Sequence, residues 1–200
     1  MGLHQLPDAS RAPRARITAE RVTLLRWEDW GARGLQHLVL TESAEAIVAE
    51  ALCIPGDASF AARFRIRCDL DWRARELDVE LIGGGRRLHL RGDGHGHWTD
   101  GTDAPLPALA GALDVDLPIT PFTNTLPIRR LRLAAGQTAE IVVAYVQLPA
   151  LTVEIDHQRY TCLATRRYRY EAVDGTFTSE IEVDGDGLVV SYPELFRRLR

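Results

Sequence analysis

The residues best equipped for chemistry lie together near the middle of the chain. Asp114 and Asp116 stand two apart, which on a strand sends both carboxylates to one face. Thr120-Pro121-Phe122-Thr123-Asn124-Thr125-Leu126-Pro127-Ile128-Arg129-Arg130-Leu131 follows shortly after. Acceptors, neutral donors and fixed positive charge are thus gathered in one short stretch. Asp114, Asp116, Thr123, Asn124, Thr125, Arg129 and Arg130 form a set that can bind a hydroxyl-rich or anionic head group. The same set can be a buried Asp–Arg network holding a covering helix, with Thr and Asn supplying the hydrogen bonds that offset desolvation. A third chemistry is glycoside hydrolysis through Asp114 and Asp116. It needs two acids a few ångströms apart, and neighbours on one strand face stand about 7 Å apart at Cα.

Other constellations carry less. Asp93, His95 and His97 have metal-ligand types, but Gly92, Gly94 and Gly96 make a flexible turn of them. Asp184-Gly185-Asp186-Gly187 is too short for a calcium loop. There is no G-x-S-x-G elbow, and Gly83-Gly84-Gly85 joins strand to strand rather than cradling a phosphate. The sequence therefore predicts no catalytic residue, no metal ligand and no cofactor. Trp27, Trp30, Trp72, Trp98, Tyr160, Tyr168 and Tyr170 can line a lipid or sugar groove, or simply pack in the core.

The elements that must position these residues are strands. Phe60, Ala62, Phe64, Ile66, Cys68, Leu70 and Trp72 alternate with Arg63, Arg65, Arg67, Asp69, Asp71 and Arg73, predicting one long strand with an apolar face. Leu77, Val79 and Leu81 alternate with Glu76, Asp78 and Glu80, and Leu88 to Arg91 follows the glycines, so these runs form an antiparallel meander. Its arginines should pair across strands with its acids. Arg21–Trp27, Gly34–Leu40 and Ala46–Leu52 predict three earlier strands. Glu140–Leu148 predicts a strand covered on both faces. Leu151–Ile155, Tyr160–Ala164, Phe177–Val183 and Leu188–Tyr192 follow, with turns at Asp156-His157-Gln158 and Asp174-Gly175. Thr125 can cap a helix with Pro127 in its first turn and Gly136 beyond its end, and Pro193–Arg198 can form a second short helix.

Strands every 8–12 residues predict a mainly β protein: a single large antiparallel meander sheet that must curl or close, with one or two short helices. Residues 1–20 read as a mobile leader and 21–200 as one domain. A net charge of −4 and a pI near 5.9 argue against a nucleic-acid partner. No apolar run is long enough to span a membrane as a helix. All 24 basic residues are Arg. Cys53, Cys68 and Cys162 lie in apolar runs without paired spacing, so they read as buried hydrophobes of a cytoplasmic protein.

Asp114-Val115-Asp116 and the Thr120–Leu131 string closely resemble the signature of the bacterial putative glycolipid-binding family. Trp27, Asp71-Trp72, Trp98-Thr99, Gln158-Arg159-Tyr160 and Tyr192-Pro193-Glu194-Leu195-Phe196-Arg197 match its other landmarks in order. The resemblance runs from Arg21 to the C-terminus. Ala112-Leu113 stands where that family has Gly-Cys, which disfavours a thiol mechanism. The resemblance implies an unclosed antiparallel barrel around helical elements, similar to lipoprotein carriers. It also implies binding of a glycolipid or other lipid-like molecule without chemistry. Apolar sheet residues would take the acyl part and the central polar residues the head. The alternatives are the Asp114/Asp116 hydrolase and a structural module that dimerises through an exposed sheet edge.

Overall fold

The computed structural model describes residues 19–31 and 33–200, so the expected leader lies almost wholly outside the described residues. One arm of the structure is a meander of seven strands: β1 (Arg21–Asp29), β2 (Leu35–Glu42), β3 (Ile47–Ile54), β4 (Ala62–Cys68), β5 (Ala74–Leu81), β6 (Arg87–Gly92) and β7 (Trp98–Asp100). The chain then forms β8 (Asp114–Asp116), a 3-10 turn over Phe122–Asn124 and α1 (Thr125–Leu131), the single α-helix among the described residues. It returns through β9 (Thr138–Gln147), β10 (Thr152–Ala164), β11 (Arg167–Ala172), β12 (Thr178–Val183), β13 (Val189–Tyr192) and β14 (Phe196–Arg198).

All fourteen strands belong to one sheet, ordered β7-β6-β5-β4-β3-β2-β1-β14-β13-β12-β11-β10-β9-β8. Every pairing is antiparallel except β8 with β9, which is parallel and uses α1 in its crossover. No ladder joins β7 to β8, so a closed or strongly curled barrel is not what the strand pairing builds. This corrects the expected barrel. β8 ends the sheet with three residues that pair in parallel with β9 alone, so it closes no ladder onto β7.

Alternation works where the sequence carries it cleanly. Phe64, Ile66, Leu77 and Val79 are buried, while Arg63 meets Glu80 at 2.5 Å and Arg65 meets Glu76 at 3.4 Å on the outer face. β9 is covered on both sides: Val143 belongs to one apolar cluster, and Ala144 and Val146 to the other. Cys53, Cys68 and Cys162 are buried free thiols, and burial pushes Cys53 up to about 12.

Three expected elements are corrected. The strand after Phe60 ends at Cys68, because the Asp69 carboxylate accepts the N–H groups of Asp71 (2.8 Å) and Arg73 (3.1 Å) and Trp72 takes a φ of 64°. Asp156-His157-Gln158 is not a turn but the interior of the 13-residue β10. Pro193–Arg198 is not a helix; Phe196–Arg198 is strand β14, which joins the two arms by pairing with β1.

Trp27 locks that junction. It is 0% exposed, and its indole N–H donates to the Val189 carbonyl at 2.9 Å. Trp27→Ala is expected to cost about 3–5 kcal/mol in urea unfolding. Trp27→Phe, which strands the Val189 carbonyl, should cost about 1–3 kcal/mol.

Candidate functional site

β8 presents its two carboxylates to different surroundings. Asp114 is 0% exposed, and Arg130 on α1 clamps it from two atoms, Nε at 3.2 Å and Nη2 at 2.5 Å. Burial pushes the Asp114 carboxyl up, and the guanidinium opposes that shift. The neighbouring Arg129 lies 4.5 Å over the Trp72 ring and donates to Glu42 Oε1 at 3.1 Å and to the Asp186 carbonyl. Both arginines therefore fasten α1 to its surroundings.

The approach to the helix is built from short polar side chains. Thr120 Oγ1 accepts the Phe122 N–H at 3.0 Å and the Gln36 side-chain N–H at 2.7 Å. Asn124 stands at the helix N-cap without a capping side-chain bond. Its Nδ2 donates to the Pro121 carbonyl at 3.3 Å, and its Oδ1 accepts the Tyr160 hydroxyl at 2.8 Å. Thr125 is thus the first helical residue rather than the cap, and its Oγ1 is buried without a partner. The helix ends at Arg132, which takes a φ of 51°, before Gly136 is reached.

Asp116 is held by neutral donors. Thr123 Oγ1 donates to its Oδ1 at 2.7 Å, and Gln158 Nε2 donates to its Oδ2 at 2.7 Å. The same Gln158 nitrogen reaches Asp156 Oδ2 at 3.0 Å, so one amide ties two carboxylates together. Burial pushes the Asp116 carboxyl up against the lowering effect of these bonds.

Asp116 and Asp156 open onto a cleft of about 460 Å³, which Glu154 and Asp174 also line. Its opposite character is aromatic: Tyr145, Tyr170, Phe177, Tyr192 and Phe196 contribute rings. Tyr170, Phe177 and Tyr192 have centroids 6.0, 6.3 and 6.2 Å apart in their three pairs. Rings that close touch one another, so they form a wall rather than a cage around a guest. Carboxylates beside an aromatic wall can accept hydrogen bonds from a guest and cover its apolar face.

Two further groups have donor atoms of interest. Glu76, Asp78 and His89 bring two carboxylates and an imidazole within 4.8 Å of one another, a set that can hold a cation, although Arg65 already lies 3.4 Å from Glu76. His97 is paired with Asp93 at 2.7 Å in an exposed turn. A second hollow of about 700 Å³ lies beside α1 and mixes Arg129, Arg132 and Arg166 with Asp184 and Asp186. Its opposed charges give it no clear ligand sign.

A family model with the description "Putative glycolipid-binding" matches residues 24–198. The chain belongs to this family. It is also similar to a DUF1089 family protein from Pseudomonas aeruginosa known from a crystal structure. The identity is 36%, the match covers 98% of this chain and 99% of that one, and the TM-score is 0.70. No curated protein matches the chain.

In this member of the putative glycolipid-binding family, the expected site residues separate into two groups. Asp116 and Asn124 line the cleft, with Thr123 bonded behind Asp116. Asp114, Thr125, Arg129 and Arg130 do not line it; Asp114 and the two arginines form the network that holds the helix. Gln158, 1% exposed, and the cleft residues Asp156, Tyr145, Phe177 and Tyr192 were not among the expected site residues. Gln158 and Tyr192 did stand in the matched landmarks, which was the available signal. Of the aromatics considered for a groove, Tyr170 alone lines this cleft, while Trp27, Trp72 and Trp98 are core residues.

Removing one partner of a buried ion pair leaves the other uncompensated. Arg130→Ala is therefore expected to lower unfolding stability by about 3–5 kcal/mol, measured in urea at neutral pH. The raised Asp116 carboxyl gives a second expectation. The folded chain holds this proton more tightly than the unfolded one, so stability falls as pH rises above the ordinary Asp value of about 3.9. Asp116→Asn removes that slope. Relative to wild type, its stability should improve between pH 4.5 and pH 7; urea midpoints at the two values check this.

Proposed function

We propose that this protein binds the polar head of a glycolipid-type amphiphile in the cleft beside Asp116. The observation that carries the reading is the meeting of an aromatic wall with four carboxylates in one cleft of about 460 Å³. Sugar rings need both, because their hydroxyls donate to carboxylates and their C–H faces lie against aromatic rings. The acyl part is assigned to the apolar lining at Ile155 and Leu195. The inward residues of the sheet, first expected to hold it, are packed against one another in the core. Free buried thiols support the cytoplasm as the proposed compartment. Among the described residues, no helix is long and apolar enough to cross a membrane.

One observation favours a hydrolytic second reading. Gln158 holds Asp116 and Asp156 through a single nitrogen, so two carboxylates stand a few ångströms apart at the cleft wall. Asp114 cannot serve in that pair, since Arg130 seals it from the cleft.

The test is native mass spectrometry of the gently purified protein, followed by solvent extraction and titration with short-chain alkyl glycosides. A co-purified or titrated amphiphile at one per chain is expected, weakened at least tenfold in Phe177→Ala. Turnover of nitrophenyl glycosides, lost in both Asp116→Asn and Asp156→Asn, would replace binding by hydrolysis. Failure of every glycoside and of the host lipid extract to bind would overturn the proposal.

A further inference from the structure

The cleft has one sign of charge. Asp116, Glu154, Asp156 and Asp174 line it, and among the described residues no arginine or histidine does. Several acids elsewhere in this arginine-rich chain face a guanidinium: Glu80 meets Arg63, Glu140 meets Arg159 and Glu28 meets Arg197. The cleft carboxylates instead have neutral partners. Thr123 and Gln158 serve Asp116, Gln158 serves Asp156, Gln147 serves Glu154, and Thr176 serves Asp174 through its N–H and hydroxyl. Their negative charge meets no cation among the described residues.

That charge is felt across the cleft. The hydroxyls of Tyr145, Tyr170 and Tyr192 all hold their protons above the ordinary tyrosine value, first because of burial and then because of nearby negative charge, Asp116 among its sources in each case. The rings add to the same preference, since the face of a tyrosine or phenylalanine attracts a cation within about 6 Å. An anionic head would meet carboxylates on one side and the negative faces of rings on the other.

Building on the head-group reading above, we infer that the ligand's head carries positive charge, as an amine on a sugar or similar polar group, and that anionic heads are rejected. Arg129 and Arg130, which suggested an anionic head from the sequence, are engaged with Glu42, Asp186 and Asp114. The ammonium would sit between the Asp116/Asp156 pair and the wall of Tyr170, Phe177 and Tyr192.

Three probes with one tail isolate the charge: hexyl glucosaminide, hexyl glucoside and hexyl glucuronide, each titrated calorimetrically below its micelle concentration. The glucosaminide is expected to bind at least tenfold more tightly than the glucoside, with no detectable binding of the glucuronide. In Glu154→Gln/Asp156→Asn, with an unchanged melting temperature, the amine's advantage should fall below threefold. Should that variant melt early, the three probes on the native protein still decide. Equal binding of glucosaminide and glucoside would overturn the charge inference and leave the head-group reading standing. Preference for the glucuronide would overturn it outright. Binding of none of the three would overturn both.

Discussion

A carboxylate sealed from water has to find a cation, and Asp114 sets that demand at the first residue of β8. Arg130 meets it from two nitrogens. Because Arg130 sits on the crossover between β8 and β9, the helix has to lie against β8. Once it does, Thr123 falls within reach of Asp116 and Asn124 within reach of the Tyr160 hydroxyl. Arg129, one residue earlier, reaches Trp72 and Glu42 of the other arm. The pair thus organises more than its own neighbourhood, although a buried ion pair is a modest source of net stability. Its contribution is to specify one arrangement of the helix.

The two acids of β8 show how position divides labour between like residues. Asp114 and Asp116 are two apart and share a strand, yet one is paired with a guanidinium and the other is held by neutral donors, the Thr123 hydroxyl, the Gln158 amide and the Leu117 N–H. The difference follows from what lies beyond each carboxylate: the helix for Asp114, the cleft for Asp116. Neutral support gives the Asp116 carboxylate no paired cation among the described residues, while burial works against its charge. That charge, added to those of Asp156, Glu154 and Asp174, gives the cleft its character.

Much of this was legible from residue types. β4 and β5 announced themselves by strict alternation, and the arginine–acid rows across them followed from register. The central Asp–Arg stretch was recognisable as the unusual part of the chain, and the structure divides it: Asp114, Arg129 and Arg130 clamp the helix, while Asp116 and Asn124 lie along a cleft. What escaped was polar sequence inside strands. Asp156-His157-Gln158 has the composition of a turn, and nothing local says that Asp156 lines a cleft and Gln158 is buried beside it while His157 is exposed. Phe196–Arg198 was equally hidden, because a proline followed by Glu and Leu suits a helix start. Only the need to join β1 to β13 makes it a strand.

The ends of the sheet have a bearing on how the molecule behaves in a crowd. A fourteen-strand sheet with two free margins invites another chain to add a strand, the first step of templated aggregation. Here both terminal strands, β7 and β8, are three residues long. β7 is followed by a bridge from Thr99 to Pro105, a residue with no N–H to offer. The start of β8 is occupied from the other side, where Leu113 accepts the Ala74 N–H at 3.0 Å. Neither terminal strand offers an incoming chain more than three residues of ladder. The fold can therefore carry so wide a sheet without offering a template for its own polymerisation.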